Sequence, residues 1–160
     1  MTDAKNYSIF VVRRSGGEAA TFYVSVFKNS KVNGMTHYTG EEPVGRKGGV
    51  MTVDFELDGQ QFVALNGGPR FKFTEAVSFV INCETQAEID YYWEKLTADG
   101  GEEVQCGWLA DKYGLSWQVV PTKFFEEWVK DAAGLQRVMQ ALMQMTKLDL
   151  ATLQKAYDGK

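Results

Sequence analysis

The sequence predicts an α+β fold in which two paired βαβββ modules form a curved mixed sheet around a cleft, followed by C-terminal helices. Three observations predict it. The order strand, helix, strand, strand, strand reads twice along the chain. The two readings share side-chain spacings: Phe22-Tyr23 then Phe27 matches Tyr91-Tyr92 then Leu96, and Gly59 then Phe62 matches Gly114 then Trp117. Finally, one such unit cannot cover both faces of its own sheet. Pairing two of them buries the helices on one side and leaves a curved sheet whose other side makes a cleft.

Module one is placed at residues 7–67. Ser8 to Arg13 is β-branched and aromatic, a strand pattern. Ser15-Gly16-Gly17 breaks it, and a helix follows from about Glu18 to Phe27, with Ala19, Phe22, Tyr23, Val26 and Phe27 on one face. Val32 to Tyr38 reads as a strand and Thr39 to Gly49 as a polar loop. Val50 to Leu57 alternates as a half-buried strand does. Asp58-Gly59 is a preferred hairpin pair, with Phe62 to Leu65 returning. Asn66-Gly67-Gly68-Pro69 is a turn or linker.

Module two is placed at 74–121. Ala76 to Cys83 is a strand. Thr85 and Glu88 have the spacing of a capping box opening a helix from Gln86 to Thr97, which Asp99-Gly100-Gly101 stops. Glu103 to Leu109 and Leu115 to Val120 are strands around a turn at Tyr113-Gly114, and Pro121 closes the unit. The extension, 122–160, is helical. Phe124, Phe125 and Trp128 form an apolar cluster able to dock on the sheet or on a second subunit. Leu135, Val138, Met139, Leu142 and Met143 form an amphipathic stripe that reads as core or dimer packing, with a binding surface as the alternative. Asp149 caps a last helix bearing Leu150, Leu153 and Tyr157.

Composition excludes several functions. The net charge is -4 with Lys and Arg scattered, which gives no footprint for a polyphosphate, so no nucleic-acid partner is expected. No apolar run approaches the roughly 20 residues of a membrane span, and residues 1–7 are polar, unlike a secretion signal. No membrane partner and a cytoplasmic location are the expectation. Cys83 and Cys106 lack metal-type spacing and read as a reduced pair, with a disulfide as the alternative. His37 is the single histidine, set on an outer strand or loop edge, and nothing brings a cysteine or a Ser-His-Asp arrangement to it. Glu41-Glu42, Glu102-Glu103 and Glu126-Glu127 read as solvated pairs. The residues suited to line a cleft are Gln118 and Trp108 from module two, Asn66 from the end of module one, and Phe71 and Phe73 after the glycine turn. For Trp108 and Phe73 the alternative is core. Gln118, polar in mid-strand, must point to water or find partners.

The segments Phe62 to Phe73 (FVALNGGPRFKF), Tyr92 to Leu96 (YWEKL), Cys106 to Leu109 (CGWL) and Asp111 to Gln118 (DKYGLSWQ) resemble the PhnB-like family. That family is also described as 3-demethylubiquinone-9 3-methyltransferase-like and belongs to the vicinal oxygen chelate superfamily, with glyoxalase I, extradiol dioxygenases and bleomycin-resistance proteins. The resemblance spans nearly the whole chain, including Arg137 to Tyr157. It implies paired βαβββ modules around a cavity and a homodimer. In the superfamily's metal-using members, inward His, Gln or Glu residues hold a divalent ion. The resemblance puts those positions near Ser8, about Val63, between Ala76 and Ser78, and at Gln118. Of these only Gln118 is a ligand type, and one amide oxygen does not hold such an ion, so neither metal nor cofactor is expected. Ser15-Gly16-Gly17-Glu18 precedes a helix as in an adenosylmethionine site, but without alternating βα units it reads as helix entry.

Three readings of function follow. The first is a metal-free protein binding an unknown small molecule. The second is an enzyme of unassigned reaction, with 3-demethylubiquinone-type methyl transfer as the candidate. The third is a structural homodimer with a vestigial cleft.

Overall fold

The computed structural model describes residues 7–12, 16–43 and 45–160. It divides into two compact units, residues 1–72 and 73–160. Arg13, Ser15 and the first six residues, on which sequence expectations fell, lie outside the described residues.

The first unit runs β1 (Ser8–Val12), α1 (Gly16–Val26), β2 (Lys31–His37), β3 (Val50–Leu57) and β4 (Gln60–Asn66), with sheet order β1-β4-β3-β2. β1 lies parallel to β4 and the other pairs are antiparallel. Alternation decides the faces. Phe10, Val12, Val53, Phe55, Leu57, Phe62 and Ala64 are buried, as are Ala19, Ala20, Tyr23 and Val26 of α1. Tyr23 stacks on Phe55 at 6.2 Å between centroids, and Phe62 sits 5.1 Å from Phe10 and 5.6 Å from Phe55. Asp58 and Gly59 both take positive φ, as the two-residue hairpin requires. α1 begins two residues before the expected Glu18. A tertiary contact supports that start: Asn66 Oδ1 accepts the Gly16 N–H at 2.8 Å and so satisfies a donor at the head of the helix.

The second unit repeats the topology with β5 (Ser78–Cys83), α2 (Gln86–Thr97), β6 (Glu102–Glu103), β7 (Trp108–Ala110) and β8 (Ser116–Pro121), in the order β5-β8-β7-β6. β5 and β8 are parallel. Two local expectations are corrected. The capping box is offset: Thr85 Oγ1 accepts the Glu88 N–H at 3.2 Å, but Glu88 Oε2 accepts the N–H of Glu84, not of Thr85, at 2.8 Å. The strand expected from Glu103 to Leu109 is broken between β6 and β7, with Cys106 and Gly107 at positive φ. Their N–H groups donate to Met145 O and Thr146 O at 2.7 and 2.8 Å. Hydrogen bonds to a distant segment thus replace the ladder that β-propensity favours.

The helical extension belongs to this second unit. It comprises α3 (Lys123–Glu126), a 3-10 turn at Trp128–Lys130, α4 (Ala132–Leu142) and α5 (Leu150–Asp158). Trp128, Val138, Leu142, Leu148 and Leu153 pack in one cluster with Val120 of β8. The Trp128 and Tyr157 rings stack at 5.9 Å. The Gln86 amide of α2 clasps the segment before α5, donating to Leu148 O at 3.1 Å and accepting from Leu150 N–H at 2.8 Å. The expected stripe on α4 divides: Val138 and Leu142 are buried, whereas Met139 and Met143 are exposed. The packed face is narrower than the apolar pattern, centred on Val138 and Leu142 with Ala141 beside them. No helix among the described residues is long and apolar enough to cross a membrane.

Candidate functional site

In each unit the sheet has one face against its helix and a distal face turned away from it. In the second unit Phe79, Ile81, Cys83, Trp117 and Val119 take the helix side. Ser78, Val80 and Asn82 on β5, Ser116, Gln118 and Val120 on β8, and Trp108 on β7 take the distal side. Backbone register puts Gln118 directly between Val80 and Trp108, close enough for neighbouring side chains to touch. Gln118 and Trp108 are half-buried, and Val80 is 42% exposed. Gln118 Nε2 donates to Ser78 Oγ at 2.9 Å.

Of the five cleft residues expected from sequence, the structure therefore brings Gln118 and Trp108 together. Phe73, half-buried, precedes β5 in the same unit outside any strand. Asn66 and Phe71 belong to the first unit. The Asn66 amide is committed to the fold: it accepts from Gly16 N–H and donates to Val50 O at 2.9 Å. Phe71 is 60% exposed, with the Arg70 guanidinium 5.8 Å from its ring centroid. Sequence reasoning missed Val80 and the role of Ser78 as the partner of Gln118. Both depend on the register of parallel strands 40 residues apart, which periodicity does not encode.

Asp111 was also missed, although it lies within a quoted motif. It is 3% exposed. Its Oδ1 accepts from the N–H groups of Tyr113 at 2.8 Å and Leu115 at 3.1 Å, and its Oδ2 accepts from Trp117 Nε1 at 2.8 Å. The carboxylate ties the β7–β8 turn to the indole that immediately precedes Gln118 on β8. The spacing of an Asp two residues before a turn is its sequence signal.

The repeat register also relates the distal faces of the two units. Val80 opposite Gln118 in the second unit corresponds to Ile9 opposite Val63 in the first. Ser8, the first of the positions that the resemblance implies, shares the helix-side alternation of Phe10 and Val12, while its neighbour Ile9 takes the distal side. Val80 stands opposite Gln118 in register, and Ser78, from the expected stretch Ala76 to Ser78, is bonded to the Gln118 amide. Ile9, Val63 and Val80 offer only hydrocarbon, Ser78 a neutral hydroxyl already accepting from Gln118, and Gln118 one amide. These residues do not fit a divalent ion, which takes three or four N, O or S donors. Among the described residues no group of three or more His, Cys, Asp or Glu could hold a metal. His37 is exposed at the end of the edge strand β2. Cys83 and Cys106 are free thiols. Burial, aided by the Glu88 and Glu84 charges, pushes the Cys83 thiol up to about 12, which keeps it protonated and a poor nucleophile.

Comparisons with known proteins agree with this architecture. The model of the family described as 3-demethylubiquinone-9 3-methyltransferase matches residues 4–120. Among solved structures, the PhnB protein from Bacillus cereus is 33% identical with a TM-score of 0.65, covering 74% of this chain and 99% of its own. Protein PA1353 from Pseudomonas aeruginosa is 17% identical with a TM-score of 0.58, covering 73% and 96%. The fosfomycin resistance protein FosX from Listeria monocytogenes, in complex with Mn(II) and sulfate, is 16% identical with a TM-score of 0.53, covering 81% and 98%. The last two share the fold. No curated protein matches the chain. With a family match over most of its length and the duplicated βαβββ topology, the chain belongs to the PhnB-like family described as 3-demethylubiquinone-9 3-methyltransferase, within the vicinal oxygen chelate superfamily.

Proposed function

We propose that this chain is a metal-free small-molecule-binding protein whose ligand sits on the distal face of the second unit's sheet. The observation that carries the reading is the row Val80, Gln118, Trp108: a half-buried amide between an exposed aliphatic side chain and an indole. A half-buried polar group is retained where it finds partners, and an aromatic surface beside it supplies contact area for a flat ligand. Metal-assisted chemistry is left out because Ile9, Val63 and Val80 cannot donate to an ion.

A thermal-shift screen of planar aromatic metabolites tests the site. A ligand at a hundred times its Kd adds about 2.7 kcal/mol, which raises Tm by about 5–10 °C for a chain of this length. The shift is expected to vanish in Trp108→Ala and Gln118→Leu. A shift that survives both substitutions refutes this site, and stoichiometric Zn, Ni, Mn or Fe in purified protein refutes the metal-free reading.

The second reading, methyl transfer, is supported by the family's description alone. The one glycine pair that opens a helix in the first unit has its Gly16 N–H taken by Asn66. Heat on titrating adenosylmethionine would favour that reading, and a flat titration removes it. A homodimer fits the exposed apolar side chains of Ile9, Met35, Val77 and Met143. Light scattering is expected to give twice the 18.0 kDa chain mass, and a monomer at micromolar concentration overturns the dimer. Two free thiols suit a reducing, cytoplasmic location, which fractionation of cells checks.

A further inference from the structure

We infer that the ligand is a neutral, planar heterocycle presenting an N–H donor beside an acceptor, as in a lactam, and that it pairs with the free edge of the Gln118 amide against Trp108. This rests on the binding role proposed above and goes further by naming the chemistry recognised.

A glutamine amide has two N–H donors and one carbonyl acceptor. Ser78 Oγ takes one N–H at 2.9 Å. Ser78 stands on β5 one distal-face position before Val80, the register partner of Gln118, so this bond pins the amide in one plane. The second N–H and Oε1 make no hydrogen bond to the described residues. Together they form a donor–acceptor edge of the kind by which Gln pairs bidentately with a planar base.

The surroundings select the rest of the ligand. Trp93, Trp117 and Trp128 are all buried. The indole N–H of Trp93 bonds Glu103 and that of Trp117 bonds Asp111. Trp108 alone among the four is half-buried, directly across the ladder from Gln118, where its ring can lie against a flat ligand. No charged side chain adjoins Gln118: its row holds Val80 and Trp108 and the next holds Ser78, Ser116 and Ala110, with the exposed Glu102 only at the far end, on the edge strand β6. With no ion to offset it, a charged ligand would lose hydration without compensation, which favours a neutral one.

The test is calorimetric titration of the full chain with 2-quinolone, a bicyclic lactam, and with 1-methyl-2-quinolone, which keeps shape and carbonyl but lacks the N–H. In the wild type, methylation is expected to weaken binding about tenfold, because it leaves Gln118 Oε1 unpaired. Gln118→Leu weakens 2-quinolone by at least as much and abolishes the difference between the two probes. Ser78→Ala, which unpins the amide, gives a smaller loss. Equal binding of both probes to wild type, lost in Trp108→Ala, sinks the donor–acceptor edge and leaves the binding face standing. Failure of 2-quinolone to bind overturns this inference while the metabolite screen still judges the broader role. A probe preference that persists in Gln118→Leu likewise overturns it. Thermal melts of each variant confirm that it folds.

Discussion

Removing the Asp111 carboxylate is the most searching test of how the second unit presents its distal face. In Asp111→Ala three donors lose their acceptor: the N–H groups of Tyr113 and Leu115 and the Trp117 indole. Tyr113 is half-buried, so water can take over its N–H. Leu115 and Trp117 are 2% and 3% exposed, and each stranded donor there costs about 1–3 kcal/mol. The expected loss is about 3–5 kcal/mol, read as a lower urea midpoint at unchanged slope. Asp111→Asn keeps one oxygen for the two backbone donors but turns an NH₂ toward the indole N–H, and is expected to lose roughly half as much. A double-mutant cycle with Trp117→Phe isolates the indole contact, with a coupling of about 1–3 kcal/mol. An Asp111→Ala variant less than 1 kcal/mol weaker than wild type, or a cycle with no coupling, would show that the turn is held by other contacts and that the reasoning is wrong.

Two further outcomes follow from local geometry. Gly107 has φ +80°, and an added Cβ would lie 2.9 Å from both Leu148 Cδ1 and Val119 O; Gly107→Ala is therefore expected to cost about 2–4 kcal/mol, and a melt within 2 °C of wild type would contradict it. Glu42 accepts from the N–H groups of Thr39 and Gly40 and from the Thr39 hydroxyl. These bonds, the Thr39 N–H foremost, lower its pKa from 4.5 to about 2. Since the folded value lies below the unfolded one, the loop's stabilisation is complete above about pH 4.5 and is lost as pH falls toward 2. The Thr39 and Gly40 amide resonances are expected to titrate near 2, and a midpoint near 4.5 would refute the cap.

Where neighbours in sequence determine the outcome, the sequence was a sufficient guide. Alternation in Val50 to Leu57, the Asp58-Gly59 turn, the Thr85 cap and the Asp149 cap all appear where the residue pattern placed them. Each depends on interactions within a few residues, and the repeated order of elements depends only on such signals. The elements that departed from expectation did so through distant partners. α1 starts early with its Gly16 N–H held by Asn66 from 50 residues away. The strand before Trp108 breaks because Cys106 and Gly107 bond the chain near Met145. Met139 and Met143 stay exposed because the extension packs on Val120 through Val138 and Leu142 of α4.

The amino-acid sequence by itself determined the duplicated α+β architecture. Tertiary structure alone decided which residues meet. Parallel pairing of β5 with β8 sets Val80 and Ser78 beside Gln118, and the β7–β8 ladder adds Trp108. Composition and periodicity choose a strand and its buried face, but a register between strands far apart in sequence is fixed only when the whole sheet closes on its helix.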